Sequence, residues 1–491
     1  MSELVKYLDG LIWSPALIYL CLGAGLYFSI RTRFMQIRGF MEMLRLMMSG
    51  QTSAAGVSSF QALAMSLSGR IGIGNIAGIA TAITAGGPGA IFWMWVTALL
   101  GASTSYIECT LWQIYKQKDD HGQYRGGPAY YIEKGMGQKW YAVTFAVATV
   151  LATGFLMPGV QANGIAVSVE NAWHISPAYC AAGIVVVLGA IIFGGVRRIA
   201  TFAEIVVPFM AFGYMIMAVS IMVINAHLVP GVMALIVDNA FNSQAQFGAI
   251  LGLAVQWGVK RGIYSNEAGQ GTGPHSAAAA EVSHPAKQGY VQAFSIYFDT
   301  AIVCTSTAFM ILCTGKYNVA NPAGGFFVEH LPGIATGPGY TQAAVESVFP
   351  GIGASFVAIA IMFFAFTTIV AYYYMAETNV EYICRNKAPP WAMLVLKIGL
   401  MTAVAFGAIR SADVAWDLGD MGVGIMAWLN IIAILIIQKP ALIALRDYEE
   451  QKRAGKDPTF DPEKLGIANA DLWIKTPAPL QPETAAIPAT T

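Results

Sequence analysis

Residues 64 to 82 read Ala-Met-Ser-Leu-Ser-Gly-Arg-Ile-Gly-Ile-Gly-Asn-Ile-Ala-Gly-Ile-Ala-Thr-Ala, a stretch apolar enough to cross a membrane. Its middle contains glycines, an arginine and an asparagine, where a simple membrane anchor has leucine and valine. This pattern predicts that a spanning helix breaks between Gly69 and Asn75. Because every backbone N–H and C=O in hydrocarbon needs a partner, a break persists only where it lines a cavity or holds a ligand. The break is therefore the first candidate for a binding site.

The composition of the 491-residue chain is that of a polytopic membrane protein, since 56% of its residues are hydrophobic and 11% are charged. The formal net charge is zero, and the basic residues form no cluster of the kind that binds nucleic acid. The six cysteines show no CxxC or Cys/His spacing, so we expect neither a zinc site nor a disulfide framework. The sequence has no P-loop, HExxH or GxSxG motif, which argues against ATP-driven transport and against a membrane enzyme.

Membrane spans follow from the requirement for about 20 predominantly apolar residues. Applied to this chain, the rule predicts eleven spans, at 13–30, 58–84, 88–115, 140–164, 177–195, 200–225, 243–275, 288–314, 350–382, 390–410 and 415–437. The polar, proline-rich tail that follows ends in 476–491, which lacks the apolar content to fold alone. We therefore expect an all-α membrane protein whose tail has a disordered end.

The orientation in the membrane is predicted from lysine and arginine in the loops. One set of alternate loops holds most of them, namely Arg31, Arg33, Arg38, Arg45, Lys116, Lys118, Arg125, Lys134, Lys139, Arg197, Arg198, Lys287, Arg385 and Lys387. The opposite set holds only Lys6, Lys316 and Arg410. We therefore expect the N-terminus outside and the C-terminus in the cytoplasm, as an odd number of spans requires. The first span has no cleavage site after it and should remain in the mature protein.

A weak internal repeat relates the two halves of the chain. The second span is interrupted at Gly69–Gly74, and we predict that the seventh is interrupted around Gln256–Gly262. Two broken helices in corresponding positions of two five-span halves indicate an inverted-repeat secondary transporter with its site near the membrane midplane. The expected fold is thus a 5+5 inverted repeat preceded by one extra N-terminal span.

The predicted break offers two kinds of ligand group. N–H groups at the start of the outer half-helix suit a carboxylate, and carbonyl groups at the end of the inner half-helix suit a small cation. The alternative is that Gly72, Gly74 and Gly78 only allow helices to pack closely. Close packing does not account for Arg70 or Asn75, so we favour a binding site.

Charged side chains inside predicted spans are costly unless they are paired or hydrated. We interpret Arg70, Lys260 and Arg261 as structural or gating charges in preference to substrate contacts. Asp299 could bind a cation or pair with a base, and the sequence leaves both open. Possible carboxylate partners inside the spans are Glu108, Glu204, Asp299 and Asp420.

Four polar side chains in apolar helices have two interpretations each. Thr367 and Thr368 of the ninth span either bond back to carbonyls of the preceding turn or face a broken helix as part of an all-oxygen sodium site. Gln161 and Asn163 of the fourth span need buried partners, and they either contact substrate or hold helices together. The sequence does not decide between these roles.

Several motifs together resemble one known family, the alanine or glycine:cation symporters. They are Gly-Asn-Ile-Ala-Gly-Ile-Ala-Thr-Ala-Ile and Gly-Gly-Pro-Gly-Ala-Ile-Phe-Trp-Met-Trp within 74–95, Arg-Gly-Gly-Pro-Ala-Tyr-Tyr-Ile at 125–132, Arg-Gly-Ile-Tyr-Ser-Asn-Glu-Ala-Gly-Gln-Gly at 261–271 and Phe-Asp-Pro-Glu-Lys-Leu-Gly-Ile at 460–467. The resemblance implies sodium-driven uptake of alanine and glycine across a prokaryotic cytoplasmic membrane, on the leucine-transporter-type fold. It implies a segment 1–57 with the extra span, a ten-helix core at 58–438 and a cytoplasmic tail at 439–491.

The resemblance also implies a ligand set. Sodium would be held by the carbonyls of Ser68, Ile71 and Phe364 and the hydroxyls of Thr367 and Thr368. The substrate carboxylate would meet backbone N–H groups near Gly72 and Gly74. Ile73, Asn75 and Gln161 are further candidates for substrate binding. The ammonium group would face carbonyls of Gln256, Trp257 and Gly258.

The leading hypothesis is therefore sodium-coupled symport of small neutral amino acids by alternating access, with the substrate and the lipid bilayer as partners. One alternative is a proton-coupled transporter that uses Asp299. Another is a channel or a sensor that binds amino acids without concentrative flux. The sequence predicts no particular oligomeric state.

Overall fold

Apolar helices dominate the computed structural model, which describes residues 2–48, 59–118, 122, 124–241, 248–385 and 387–474. In chain order the α-helices are α1 Ser2–Ile12, α2 Pro15–Arg31, α3 Met35–Arg38, α4 Phe40–Met48, α5 Ser59–Arg70, α6 Ala77–Gly86, α7 Gly89–Tyr115, α8 Pro128–Tyr131, α9 Lys139–Leu151, α10 Met157–Trp173, α11 Pro177–Ile192, α12 Gly195–Ile224, α13 Val229–Phe241, α14 Gly248–Asn266, α15 Pro274–Ala279, α16 Pro285–Ile296, α17 Thr305–Cys313, α18 Pro338–Val348, α19 Gly353–Ile383, α20 Pro390–Ile409, α21 Ala412–Ile437, α22 Lys439–Arg453 and α23 Asp471–Ile474. Proline stands in the first turn of many of them, where its missing N–H costs nothing.

Other elements are short. The antiparallel strand pairs are β1 Gln117–Lys118 with β2 Tyr124–Arg125 and β3 Asn318–Ala320 with β4 Phe326–Glu329. A 3-10 turn spans Ile73–Asn75, and π-helical segments span Ile132–Met136, Ala152–Leu156 and Tyr297–Cys304. The last two π-helical segments join α9 to α10 and α16 to α17 as continuous long helices.

Eight helices in the described part of the chain are long and apolar enough to cross a membrane. They are Glu3–Arg31, Gly89–Tyr115, Lys139–Trp173, Ile205–Ile224, Pro285–Cys313, Gly353–Ile383, Pro390–Ile409 and Ala412–Ile437. The protein is therefore a polytopic helical membrane protein. These helices coincide with the first, third, fourth, sixth and eighth to eleventh predicted spans, while the total of eleven stays a prediction.

The three remaining predicted spans are built from shorter helices. The second consists of two half-helices, α5 and α6, on either side of the turn Ile73–Asn75. The fifth is the 16-residue helix α11. The seventh is the 19-residue helix α14. The predicted break in the second span is thus present in the structure.

The predicted interruption of the seventh span at Gln256–Gly262 is wrong, because α14 runs through these residues as one helix. A Cβ added at Gly258 would lie 2.6 Å from the carbonyl oxygen of Ala90, and one at Gly262 would lie 3.1 Å from Thr97. These glycines therefore serve close packing against α7. The chain leaves the helix only at Glu267.

The true break of the seventh span is the segment 267–273, between α14 and α15. Glu267, Gly269 and Gly271 have φ angles of +59°, +79° and +86° there. This left-handed backbone cannot continue an α-helix, and two of its three positions are glycines that adopt it without strain. The two halves of the chain therefore each contain one broken helix, but the second break lies further along than predicted.

The structure describes the tail after the last span as far as Ile474. The segment that follows α22 returns to the ends of earlier helices: Phe460 N–H donates to Ser283 O at 3.0 Å, and Trp473 Nε1 donates to Gln113 O at 2.8 Å. Lys287 and Asp457 form an ion pair at 2.8 Å. The predicted disordered end, 476–491, and the side chains of Arg197, Arg198 and Glu204 lie outside what the structure describes.

Candidate functional site

The centre of the candidate site is the point where α19 passes the break of the second span. The hydroxyl oxygen of Thr368 lies 2.9 Å from Ser68 O, 3.3 Å from Ile71 O and 3.0 Å from Phe364 O. The hydroxyl has one hydrogen and can donate it to only one of the three carbonyls. The other two carbonyl oxygens therefore keep lone pairs free close to the hydroxyl oxygen. An all-oxygen set at the end of a half-helix is the kind of group that holds a sodium ion in broken-helix transporters.

Thr367 differs from its neighbour although both side chains are buried. Its hydroxyl donates to Phe364 O at 2.9 Å, one turn earlier in its own helix, and lies 4.0 Å from the sulfur of Met210. The structure therefore brings Thr368 to the carbonyls of the broken helix, whereas Thr367 reaches only the carbonyl that the two threonines share.

The N–H groups of the same break already have acceptors. Gly72 N–H donates to Asn75 Oδ1 at 2.8 Å, and Ile73 N–H donates to Gln161 Oε1 at 2.9 Å. Two amide oxygens thus occupy the positions expected for the oxygens of a substrate carboxylate. A Cβ added at Gly72 would lie 2.6 Å from Thr368 Oγ1 and 2.9 Å from Gln161 Oε1. Only glycine leaves room for both groups at this point.

The two polar residues of the fourth span separate into two roles. Gln161 reaches the break, as its contact with Ile73 shows. Asn163 instead donates to Gly407 O at 3.1 Å and to Arg410 O at 2.7 Å, at the end of α20. Asn163 therefore holds α10 against α20, although it also borders the cavity described below.

The break of the seventh span lies beside that of the second. A Cβ added at Gly74 would lie 3.1 Å from the ring of Tyr264 and 3.5 Å from Ser265 Cα, near the end of α14. Gln256, Trp257 and Gly258 are not brought to this point. Gln256 lies eight residues before Tyr264, which is about 12 Å along a helix. These three residues are therefore not placed to meet a substrate ammonium group, because their part of α14 is continuous helix.

Asp299 connects the two breaks. Its carboxylate accepts hydrogen bonds from Asn75 Nδ2 at 2.6 Å, Ser265 Oγ at 2.9 Å and Thr300 Oγ1 at 2.8 Å. The side chain is fully buried, and within the described part of the chain no lysine, arginine or histidine lies within 4 Å of it. Asp299 is therefore a buried carboxyl group with three hydrogen-bond donors and no cation within 4 Å among the described residues, at the junction of both broken helices.

Arg70 is buried at the last position of α5. Its guanidinium donates to Ser295 Oγ and, at 3.4 Å, to Gln292 O on α16, and to Ser105 Oγ of α7 at 3.3 Å. A Cβ added at Gly273 would lie 2.1 Å from Nη2 of Arg70. Arg70 therefore fills the space between the two breaks and α16, without an ion-pair partner within 4 Å among the described residues.

Two buried glutamates near the second break were missed as site residues. Glu108 accepts from Gly269 N–H at 3.2 Å and from Asn430 Nδ2 at 2.8 Å. Glu267 is fully buried, and neither of its carboxylate oxygens has a hydrogen-bond partner among the described residues. The alternating glycines at 269, 271 and 273 were the available signal, since the second span has the same alternation at 72 and 74.

Lys260 and Arg261 belong to a buried ion-pair cluster. Lys260 Nζ lies 2.7 Å from Asp9 and 2.9 Å from Asp420, while Arg261 forms two hydrogen bonds to Asp420 at 3.0 and 2.5 Å. The guanidinium of Arg261 also lies 4.4 Å from the ring centroid of Trp416. The partner Asp9 comes from α1, ahead of the first predicted span, where the hydropathy rule gave no reason to expect a contact with the core.

A cavity of about 620 Å³ leads from the surface to this region. Its walls come from α10, α18, α21 and the loop before α18, and it reaches Ile73 and Ala77 of the second span and Trp416 above Arg261. A small molecule that enters this cavity therefore arrives at Ile73 in the break of the second span and at Ala77, the first residue of α6.

Comparisons with known proteins agree over nearly the whole chain. The model of the sodium:alanine symporter family matches residues 1–462. The putative sodium/proton-dependent alanine carrier protein YrbD of Bacillus subtilis is 59% identical over 97% of this chain and 98% of its own length. The sodium/proton-dependent alanine carrier protein of Bacillus sp. PS3 is 54% identical over 88% of this chain and 97% of its own length.

A solved structure was also matched, that of a manganese transporter from Eremococcus coleocola. It aligns with a TM-score of 0.49 at 12% identity, over 84% of this chain and 90% of that one. The resemblance drawn from the sequence motifs is confirmed by the family model and by the two relatives. The chain belongs to the sodium:alanine symporter family.

Proposed function

We propose that this protein is a secondary active transporter that couples the uptake of alanine, and of glycine, to sodium by alternating access. The observation that carries the proposal is the Thr368 hydroxyl among the carbonyls of Ser68, Ile71 and Phe364. The proposal is supported by family membership and by relatives whose names describe alanine carriers. A polytopic membrane protein with such a site has the parts that ion-coupled transport requires.

The fold that accompanies this function is a leucine-transporter-type 5+5 inverted repeat, with α5 to α21 as the core and the first span as an addition. The N-terminus and the cavity beside α18 face the outside, and the tail faces the cytoplasm of a prokaryotic cell. Residues 1–57, 58–438 and 439–491 are the N-terminal part, the core and the tail. The cavity is then the route by which substrate reaches the site from outside.

The substrate carboxylate binds where two side-chain amide oxygens now accept hydrogen bonds from backbone N–H groups of the first break. The carboxylate of alanine replaces the amide oxygens of Asn75 and Gln161 on the N–H groups of Gly72 and Ile73. Release of Asn75 also removes one donor from Asp299, to which its amide nitrogen is bonded. The ammonium group of the substrate then compensates the buried charge of Asp299. Substrate binding at the break of the second span thereby changes the hydrogen bonds of Asp299, which also contacts Ser265 next to the break of the seventh span.

The test is uptake of labelled alanine into proteoliposomes with an inward sodium gradient, an inward proton gradient, both or neither. Sodium-coupled symport predicts accumulation above equilibrium only when the sodium gradient is present. Accumulation that ignores sodium would contradict the proposal. A channel predicts rapid equilibration without accumulation, and a sensor predicts binding without flux.

Proton coupling through Asp299 is the second candidate, because this carboxylate is buried without a cation beside it and because the two relatives are named sodium/proton-dependent. In that case Asp299→Asn abolishes concentrative uptake driven by a proton gradient and leaves alanine exchange intact. In the sodium mechanism the same variant loses exchange as well, because Asp299 compensates the substrate charge. Thr300→Val, which removes one donor to Asp299 and keeps the carboxylate, is the matched control.

A further inference from the structure

A second cavity, of about 280 Å³, lies far from the transport site, where the first span ends against the tail. Its walls come from the end of α2, the turn that follows, α3 and one face of α22. The residues that line it are Arg31, Thr32, Arg33, Arg38, Leu442, Leu445, Arg446, Glu449, Glu450 and Arg453. Five arginines and two glutamates give this small space a formal charge of +3.

The carboxylates of the cavity neutralise one end of it. Arg38 Nη2 lies 2.5 Å from Glu449 Oε1 and also donates to Thr32 O at 3.0 Å. Glu449 also accepts from Tyr290 at 3.3 Å and lies 3.5 Å from Arg453. Glu449 is therefore fully engaged by its own neighbours.

The other end of the cavity keeps its positive charge. Arg31 donates only to the hydroxyl of Tyr27, at 3.1 Å, and its guanidinium lies 5.7 Å from the centre of that ring. Arg33 and Arg446 are exposed and have no carboxylate within 4 Å among the residues that the structure describes. Three guanidinium groups and one carboxylate, that of Glu450, thus border this end of the cavity without an ion-pair partner within 4 Å among the described residues, and they leave it a formal charge of +2.

The turn that presents Arg33 is held in an unusual conformation. Arg33 and Phe34 both have left-handed backbone, with φ angles of +55° and +53°. Phe34 N–H donates to Ser29 O at 2.7 Å, and the Thr32 hydroxyl donates to Phe28 O at 2.8 Å. Non-glycine residues in this region persist where surrounding contacts enforce it, and such positions concentrate at ligand sites.

Exposed apolar side chains are found near the cavity on α2 and in the turn that follows it. Leu26, Ile30 and Phe34 are 48%, 57% and 43% exposed, although all three are large and apolar. Arg31 is the last residue of a helix that is long and apolar enough to cross a membrane. The cavity therefore lies at the level where hydrocarbon meets lipid headgroups, with an apolar surface on one side of it.

We propose that this cavity binds the headgroup phosphate of an anionic phospholipid, with Arg31, Arg33 and Arg446 as its ligands. Guanidinium groups match the planar, two-oxygen face of a phosphate, and basic pockets between helices at the membrane surface are suited to anionic headgroups. The acyl chains lie along Leu26, Ile30 and Phe34. The bound lipid joins the end of the first span to α22 and so holds the tail in place.

The proposal is tested on the purified full-length chain in nanodiscs of phosphatidylcholine with and without phosphatidylglycerol. Lipid that stays bound after extraction is counted by native mass spectrometry. The variant Arg33→Gln/Arg446→Gln should retain phosphatidylglycerol about tenfold less than the parent, because two charge-assisted contacts are lost. Phosphatidylcholine retention should not change. This readout does not depend on transport.

The matched control is Arg45→Gln/Lys139→Gln, which removes the same charge from exposed side chains outside the cavity. An equal loss in both variants would show a general attraction of basic residues to anionic membrane and would overturn the site. A further arm adds inorganic phosphate to protein in phosphatidylcholine. The melting temperature of the parent is measured with phosphate and, separately, with phosphatidylglycerol. An equal rise of the melting temperature in both would also overturn the lipid assignment. Equal elution volumes of the parent and both variants establish that the fold is kept.

Discussion

The two broken helices of this protein differ in how they are held. At the break of the second span, the backbone C=O and N–H groups meet neutral partners: a threonine hydroxyl, an asparagine and a glutamine. At the break of the seventh span, the surrounding groups are charged, with Glu108 on Gly269 and Arg70 against Gly273. The comparison suggests that the first break is the place for ligands and that the second is a structural joint.

The largest effect is expected from closing the first break with a methyl group. Gly72→Ala places a carbon 2.6 Å from Thr368 Oγ1 and 2.9 Å from Gln161 Oε1. The displacement of either group by about 1 Å should reduce alanine uptake about 100-fold. Initial uptake rates in proteoliposomes measure it. Gly183→Ala in α11, where nothing lies within 4 Å, is the control and should transport normally. Normal uptake by Gly72→Ala would remove the first break from the mechanism.

A smaller effect is expected at the two threonines, and it should be unequal. Thr368→Ala removes the hydroxyl that contacts both half-helix carbonyls, so the sodium concentration for half-maximal uptake should rise about tenfold, which corresponds to about 1.4 kcal/mol. Thr367→Ala should raise it less, because that hydroxyl contacts only Phe364 O and the sulfur of Met210. Sodium titrations of uptake measure both variants, and the double variant should need at least as much sodium as Thr368→Ala. A larger effect of Thr367→Ala than of Thr368→Ala would indicate that the sodium ion does not bind at the broken helix.

At the second break we expect a loss of stability in place of a change in sodium dependence. Gly271→Ala forces an alanine into a φ of +86° and sets its Cβ 2.8 Å from the ring of Phe145. The backbone strain costs about 1–2 kcal/mol, and the overpacking adds about 1–3 kcal/mol. Gly455→Ala, at a φ of +73° with open space around it, carries the strain alone and is the control. Melting temperatures in detergent should therefore fall in the order parent, Gly455→Ala, Gly271→Ala. If the Gly271→Ala protein were as stable as the control, the second break would tolerate an added methyl group as well as a surface turn does.

A smaller loss of stability than at Gly271 is expected at Asp299 and Glu267, two buried carboxyl groups that have no ion-pair partner within 4 Å among the described residues, and the loss should be unequal. Asp299→Asn places an amide where three donors converge, and a lost acceptor of this kind costs about 1–3 kcal/mol. Glu267→Gln keeps the size of a side chain that has no hydrogen-bond partner among the described residues but removes its charge from near the buried Arg70, so the melting temperature should fall less than in Asp299→Asn. Thermal unfolding of both variants at one sodium concentration tests this. An equal drop in both would mean that Glu267 has a partner of its own in solution.

The two breaks also show what the sequence could predict. The first break could be predicted from Gly72, Gly74 and the polar Asn75 alone. These residues indicate a break by their local pattern, without knowledge of the helices that pack against them. The second break was misplaced at Gln256–Gly262, where two glycines stand on either side of the cations Lys260 and Arg261. The structure shows that these cations are neutralised by Asp9 and Asp420, which lie far away in the sequence. Local patterns cannot reveal such partners.

The fold was predicted best where a span consists of one long, uninterrupted apolar helix. Eight of the predicted spans match long apolar helices in the described part of the chain. The elements that hydropathy did not predict are short or amphipathic, such as the 11-residue helix α18 and the tail helix α22. Their positions depend on contacts with distant segments, for example the pair formed by Tyr448 and Glu42 at 2.5 Å.

The cluster of Asp9, Lys260, Arg261 and Asp420 also constrains the order in which the protein can be completed during synthesis. The ribosome releases Asp9 first, the two cations much later and Asp420 last. Until Asp420 emerges, two cations face a single carboxylate, and an apolar interior cannot close around the excess charge. The first helix and the seventh span must therefore wait in contact with water, headgroups or the insertion machinery until the last span arrives. Final closure of the helix bundle on this side is thus a step that follows translation of residue 420.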